Sequence, residues 1–170
     1  VVIAPDKASY GSLCTLISRA RRAADKGDYR LPREDLVRYL KPSQCLLLWV
    51  PRRRQDFASG VATGGWLKEN FKDRLWLAVE LLRHGDDAAL LASRTELAAS
   101  LGLRAVACGN VHMHRRERSM LQDVLTAIRL KRPVDQLGFD AYPNGERCLR
   151  SLAQLQALYP RALLDETLEI

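Results

Sequence analysis

Short apolar runs alternate with amphipathic stretches along the chain. Val1–Ala4 is apolar and β-branched, and Pro5 ends it, so the pattern predicts a buried strand at the first residue. Helical spacing follows, with Leu13, Leu16, Ile17 and Ala20 on one face, Arg19, Arg21, Arg22 and Lys26 on the other, and Gly27 as the stop. A shorter helix is expected from Pro32, with Glu34 and Asp35 near its positive end and Leu36, Val37 and Leu40 facing inward, closed by Pro42.

Cys45–Val50 is apolar at every position, the pattern of a parallel strand covered on both faces. Arg52-Arg53-Arg54 reads as a surface loop, and residues 61–71 as a helix weakened by Gly64 and Gly65. Leu75–Leu81 is the next strand. Asp86–Leu101 follows as a helix capped by Asp86 or Asp87, with Leu90, Leu91, Leu97 and Leu101 as its apolar face and Gly102 at its end. Arg104–Cys108 is a third clear strand, Ser119–Arg129 a helix, and Glu146–Ile170 two helical stretches divided near Pro160. Strands alternating with helices predict an α/β fold with a mainly parallel sheet, either open or closed into a barrel, followed by C-terminal helices. In both forms function collects where the strands end.

Composition narrows the class. A chain of 170 residues with 47% hydrophobic positions can bury a core, so disorder is excluded as its main state. No apolar run reaches the ~18–20 residues that cross a bilayer, and no membrane partner is expected. Cys14, Cys45, Cys108 and Cys148 include no CxxC pair, which points to reduced thiols in a cytoplasmic protein. A net charge of +7 makes a polyanion a plausible partner. A strand at residue 1 suggests a piece of something longer, with an exposed edge prone to association.

All three histidines follow predicted strands: His84 after Leu75–Leu81, and His112 and His114 after Arg104–Cys108. With Asn110 they are the candidate ligands for a divalent ion such as Zn²⁺, Mn²⁺ or Mg²⁺, with Glu80, Asp86 and Asp87 as nearby oxygens. His112 and His114 share a side only if the segment is extended. Arg115, Arg116 and Arg118 stand beside this loop as candidates for contact with a nucleic-acid backbone, since guanidinium suits phosphate. P-loop, GxGxxG, GxSxG and HExxH motifs are absent, and no catalytic residue is assigned.

Several stretches resemble bacterial C-family DNA polymerases, the replicative polymerase III alpha subunit and its relatives. Tyr10-Gly11-Ser12-Leu13-Cys14-Thr15-Leu16-Ile17-Ser18-Arg19-Ala20 resembles their YxNLCxLxSxA stretch. Asn110–His114 with Leu121–Arg129 is similar to the DVHMH…LQDVLTAIR signature of the error-prone, translesion branch, as is Pro143–Arg150 to its PNAERHLR. The resemblance implies a polymerase and histidinol phosphatase (PHP) domain, a distorted βα barrel. Residues 1–140 would be the C-terminal part of that domain and 141–170 the helical start of the following polymerase segment.

The resemblance further implies a parent DNA-directed DNA polymerase acting in damage-induced translesion synthesis. DNA and deoxynucleoside triphosphates would be its substrates, Mg²⁺ its cofactor, and a sliding clamp and damage-inducible accessory proteins its partners. Its catalytic aspartates would lie outside this stretch, leaving the region a scaffold. The alternative is a metal-dependent phosphoesterase or 3′–5′ exonuclease. His112 matches the histidine of the family's late D-x-H metal motif, Asn110 stands in the place of its Asp, and His84 matches an earlier ligand histidine. An amide is a neutral, weaker ligand than a carboxylate.

Overall fold

The computed structural model describes residues 1–170. Eleven main elements follow in order: β1 (Val2–Ile3), α1 (Lys7–Arg22), α2 (Arg33–Leu40), β2 (Leu46–Trp49), α3 (Phe57–Phe71), β3 (Leu75–Glu80), α4 (Asp87–Leu101), β4 (Arg104–Cys108), α5 (Ser119–Leu130), α6 (Leu152–Leu158) and α7 (Arg161–Asp165). The strands form one sheet in the order β1-β2-β3-β4. β2 and β3 run parallel, pairing Leu47 with Leu75 and Trp49 with Leu77, with α3 as the crossover. β1 is antiparallel to β2, pairing Val2 with Leu47. The expected α/β architecture is therefore present, as an open mixed sheet. No helix is long and apolar enough to cross a membrane.

The chain divides into two compact units. The first comprises Val1–Ala78, Ser93–Val106 and Ile170. Its core gathers Leu16, Leu40, Cys45, Leu47, Phe71 and Leu75. Asp6 caps α1 by accepting from the Ser9 N–H at 2.7 Å, and that bond holds the Asp6 carboxyl below its usual range. The structure departs from the sequence pattern at β1, α1 and β2. β1 is a two-residue edge strand at intermediate burial rather than a buried one, because it pairs on one side only. Ile17 is exposed, and α1 ends at Arg22, with Gly27 in the turn beyond it. In β2 only Leu47 is buried, so full cover on both faces belongs to β3, where Leu75–Val79 are all buried.

Of the glycines of α3, Gly60 and Gly64 are packing sites, while Gly65 weakens the helix as the sequence suggests. A Cβ on Gly64 would strike Leu101 Cδ1 and lie 2.6 Å from Trp49 Cζ3, and one on Gly60 would lie 3.0 Å from Leu97 Cδ2. Helix α3 therefore approaches α4 and β2 closely only because side chains are missing there. A Cβ on Gly65 would meet nothing within 4 Å. Gly64→Ala is expected to destabilise by about 1–3 kcal/mol through overpacking, whereas Gly65→Ala should stabilise by about 0.5–1 kcal/mol through helix propensity. Urea unfolding of both variants checks the pair, and equal effects would refute the packing account.

Helix α4 departs from its expected face. Leu97 and Leu101 are buried as anticipated, but Leu90 and Leu91 are only half-buried, and Arg94 is buried instead. The Arg94 Nη2 donates to the carbonyls of Arg52 at 2.6 Å and Arg53 at 3.3 Å, so it ties down the basic loop. Burial pulls its guanidinium below the ordinary value, and the neighbouring Arg53 charge adds to this.

The second unit comprises Val79–Ala92 and Ala107–Glu169. It holds α5, α6 and α7, with a 3₁₀ turn before α5 at Arg116–Arg118 and two between α5 and α6 at Val134–Gln136 and Gly138–Asp140. Ser151 and Gln154 form a reciprocal capping box on α6. Pro160 divides α6 from α7 as the sequence predicts.

Candidate functional site

The candidate site lies within the second unit. The segment after β3 (Leu81 and Leu82) is buried, and Arg83 then turns in the left-handed region at φ 53°. Its N–H donates to Asp87 Oδ2 at 2.6 Å. After β4 the chain turns at Asn110, φ 44°, a conformation asparagine tolerates better than most residues. The next residues run extended against Arg147–Leu149. The N–H groups of His112 and Met113 donate to the Arg147 carbonyl at 2.8 and 3.1 Å, and Leu149 N–H donates to the Met113 carbonyl at 3.1 Å. Met113 bridges Cys148 and is buried, which leaves His112 and His114 on its exposed side.

Two anchors hold this framework. The buried Tyr159 hydroxyl donates to the Cys108 carbonyl at 2.7 Å and accepts from Leu81 N–H at 2.9 Å. It thereby joins the end of β4 to the residue after β3. Asn144 Nδ2 donates to the Leu82 carbonyl at 2.9 Å, and its Oδ1 accepts from Glu146 N–H at 3.1 Å. Burial pushes the Tyr159 phenol up from its usual value. Burial, reinforced by the Glu80 carboxylate, does the same to the Cys108 thiol, which stays protonated at neutral pH.

Asn110 and His112 are brought together. Asn110 Nδ2 donates to Glu80 Oε2 at 3.3 Å, and Asn110 Oδ1 lies 2.9 Å from His112 Nε2. A carboxylate only accepts, so Glu80 fixes the amide orientation. The amide oxygen then calls for the proton on Nε2, which sets the histidine tautomer. Tyr142 stands edge-on to the His112 ring, with centroids 5.2 Å apart, and the Arg147 guanidinium lies 4.4 Å above the Tyr142 ring.

The four candidate ligands do not form one cluster. His84 contributes its carbonyl, which accepts from Asp87 N–H at 3.1 Å, and His114 lines a separate cavity with Arg115 and Arg116. Nowhere do three His, Cys, Asp or Glu side chains converge closely enough to hold a metal ion. Glu80, Asn110 and His112 bond to one another, and the Tyr142 hydroxyl oxygen lies 3.3 Å from His112 Nε2. These residues therefore do not fit a bound divalent ion as they stand.

The second cluster centres on Glu146. Its Oε1 accepts from Arg116 Nη2 at 2.6 Å, and its Oε2 faces Arg83 Nε at 3.5 Å and Arg150 Nη2 at 3.2 Å. A cavity of about 400 Å³ opens here, lined by Arg83, His114, Arg115, Arg116 and Arg150 among others. Arg118 is not part of that lining. Sequence reasoning missed Tyr142, Glu146, Arg150 and Tyr159, because none of them sits in a chemical motif of its own.

No protein-family model matches the chain. Curated relatives do. All 170 residues align with a protein named error-prone DNA polymerase from Pseudomonas aeruginosa at 51% identity. The corresponding values are 47% for the one from Methylococcus capsulatus and 52% for the one from Pseudomonas paraeruginosa. Over its whole length the chain matches one part of the error-prone DNA polymerases. It spans about 16% of the length of each of these three relatives. The relationship expected from Tyr10–Ala20, Asn110–Arg129 and Pro143–Arg150 is thus borne out at the level of family.

Proposed function

We propose that the chain is part of a DNA-directed DNA polymerase of the error-prone type, which extends primers past damaged template bases in damage-induced translesion synthesis. The observation that carries this reading is 47–52% identity across the full chain to proteins bearing that name. Within it, residues 1–140 serve as the C-terminal part of a PHP barrel and 141–170 begin the next segment. DNA and deoxynucleoside triphosphates are the substrates, Mg²⁺ is the polymerase cofactor, held by carboxylates beyond these residues, and the cytoplasm is the site of action. A sliding clamp and damage-inducible accessory proteins are the partners.

The region itself acts as scaffold. What supports this is the closed Glu80–Asn110–His112 bond network, which leaves no lone-pair cluster for a metal. The alternative, a metal-dependent phosphoesterase or 3′–5′ exonuclease, needs an ion on His84 and His112 with further ligands from strands outside these residues, and would require this network to open.

Two measurements test the reading. In a strain lacking the gene, damage-induced mutants should fall to the spontaneous level, and unchanged mutagenesis would refute the translesion role. In the full-length enzyme, His112→Ala should keep primer extension within about two-fold, as for an exposed non-catalytic position, and leave metal content unaltered. Loss of a stoichiometric ion in that variant would favour the phosphoesterase instead.

A further inference from the structure

The cavity around Glu146 carries more positive charge than its internal pairing uses. Its lining holds four guanidiniums, those of Arg83, Arg115, Arg116 and Arg150, against two carboxylates, Glu117 and Glu146. The balance is an excess of two positive charges before His114 is counted. Glu146 is 8% exposed and is shared by three of the arginines, so it cannot satisfy them all. Arg150 is only 6% exposed at its side chain, and its Nη1 has no hydrogen-bond partner. A buried guanidinium nitrogen without an acceptor is costly, and this one, closed to solvent, leaves uncompensated positive charge behind the cavity. Arg83 and Arg116 are 56% and 58% exposed, so a ligand can reach them without unfolding the loop.

Local backbone geometry holds the arginines in place. A Cβ on Gly145 would lie 2.7 Å from Arg116 Cγ and 3.0 Å from its carbonyl oxygen, so the Gly145–Glu146 turn fits against the Arg116–Arg118 turn only with glycine there. Arg83 sits on its own left-handed turn. The guanidiniums therefore converge on one concavity rather than lining a strip, which suits a compact anion better than a continuous strand.

We infer that this cavity binds a phosphate dianion. Arg83 and Arg116 are its donors, Arg150 supplies positive charge behind them, and Glu146 is the counter-ion that spaces the three. Two sources share that chemistry: the terminal 5′-phosphate of a DNA strand, and free pyrophosphate or inorganic phosphate. The site is distinct from the Glu80–Asn110–His112 network and stands whether or not the polymerase reading does. It also gives His114 a place, at the cavity wall.

The test is calorimetric titration of the full-length protein with pyrophosphate, and with one single-stranded oligonucleotide in 5′-phosphorylated and 5′-hydroxyl forms. At least one dianionic probe should bind saturably, and Arg116→Ala should weaken it roughly ten-fold, as expected for a lost charge-assisted bond. Arg129→Ala, an exposed change on α5, should leave it unaltered. Preference for the phosphorylated strand identifies a strand end as the source, and binding of pyrophosphate without that preference identifies free phosphate. Circular dichroism confirms that the variants remain folded, and Arg83→Ala repeats the measurement at a second exposed donor. The inference is overturned if no probe saturates. It is also overturned if both oligonucleotide forms bind equally with pyrophosphate silent, or if Arg116→Ala and Arg83→Ala both bind as the parent does.

Discussion

Glu146→Ala is expected to destabilise the protein by about 3 kcal/mol, at the lower end of the cost of removing one partner from a buried ion pair. Glu146 is buried and accepts from Arg116, with Arg83 and Arg150 facing its other oxygen. Its loss leaves Arg150 as a buried charge with no carboxylate. Arg83 and Arg116 are more than half exposed and can turn to water, so their share is small. The prediction is therefore asymmetric. Arg83→Ala or Arg116→Ala should cost no more than about 1 kcal/mol each, while Glu146→Ala should lower Tm by roughly 10 °C. Calorimetric scans of the three variants decide it. A Glu146→Ala protein as stable as its parent would show that the arginines rearrange freely.

The second large effect is at Tyr159. Tyr159→Phe removes one hydroxyl but orphans two backbone groups, the Leu81 N–H and the Cys108 carbonyl. About 1–3 kcal/mol should be lost, and Tyr159→Ala, which also empties the buried ring site, should cost about 3–5 kcal/mol.

A pH signature separates the hydroxyl from the ring. Burial raises the folded-state pKa of this phenol above its usual 10.0, so its contribution is fully present below that value. As pH rises past 10.0 the unfolded chain loses the proton while the folded one keeps it, and stability falls. The Phe variant should show a shallower alkaline decline. It should not be flat, because the Cys108 thiol is raised in the same direction from 9.0. Urea unfolding at neutral and alkaline pH measures both effects, and parallel curves for parent and Phe variant would refute the linkage.

The elements were legible because their signals are local. Pro42 and Pro51 bracket the β2 run, Gly102 follows the last residue of α4, and Pro160 separates α6 from α7. The pattern misleads where burial depends on a distant neighbour. Ile17 fits the apolar face of α1 by spacing but nothing covers it, and Arg94 looked like a polar position until the carbonyls of Arg52 and Arg53 supplied its acceptors. Gly64 reads as a helix weakener in isolation and becomes a contact point only once Trp49 and Leu101 are placed against it.

The candidate site shows the same division. His112 and Asn110 were visible because they stand two residues apart after a strand. Whether they bind an ion or one another was not, since that depends on Glu80, which lies 30 residues from Asn110.

By itself, the sequence determined the α/β class, the order of elements and the kinship with error-prone DNA polymerases, because periodicity, caps and residue matches are properties of contiguous stretches. Only the tertiary structure decided which polar groups meet: Glu146 among three arginines, and the Tyr159 hydroxyl between the Leu81 N–H and the Cys108 carbonyl, 78 and 51 residues away. Hydrogen bonds and ion pairs act over a few ångströms. Groups so far apart in the chain come within that reach only when the backbone has folded them together.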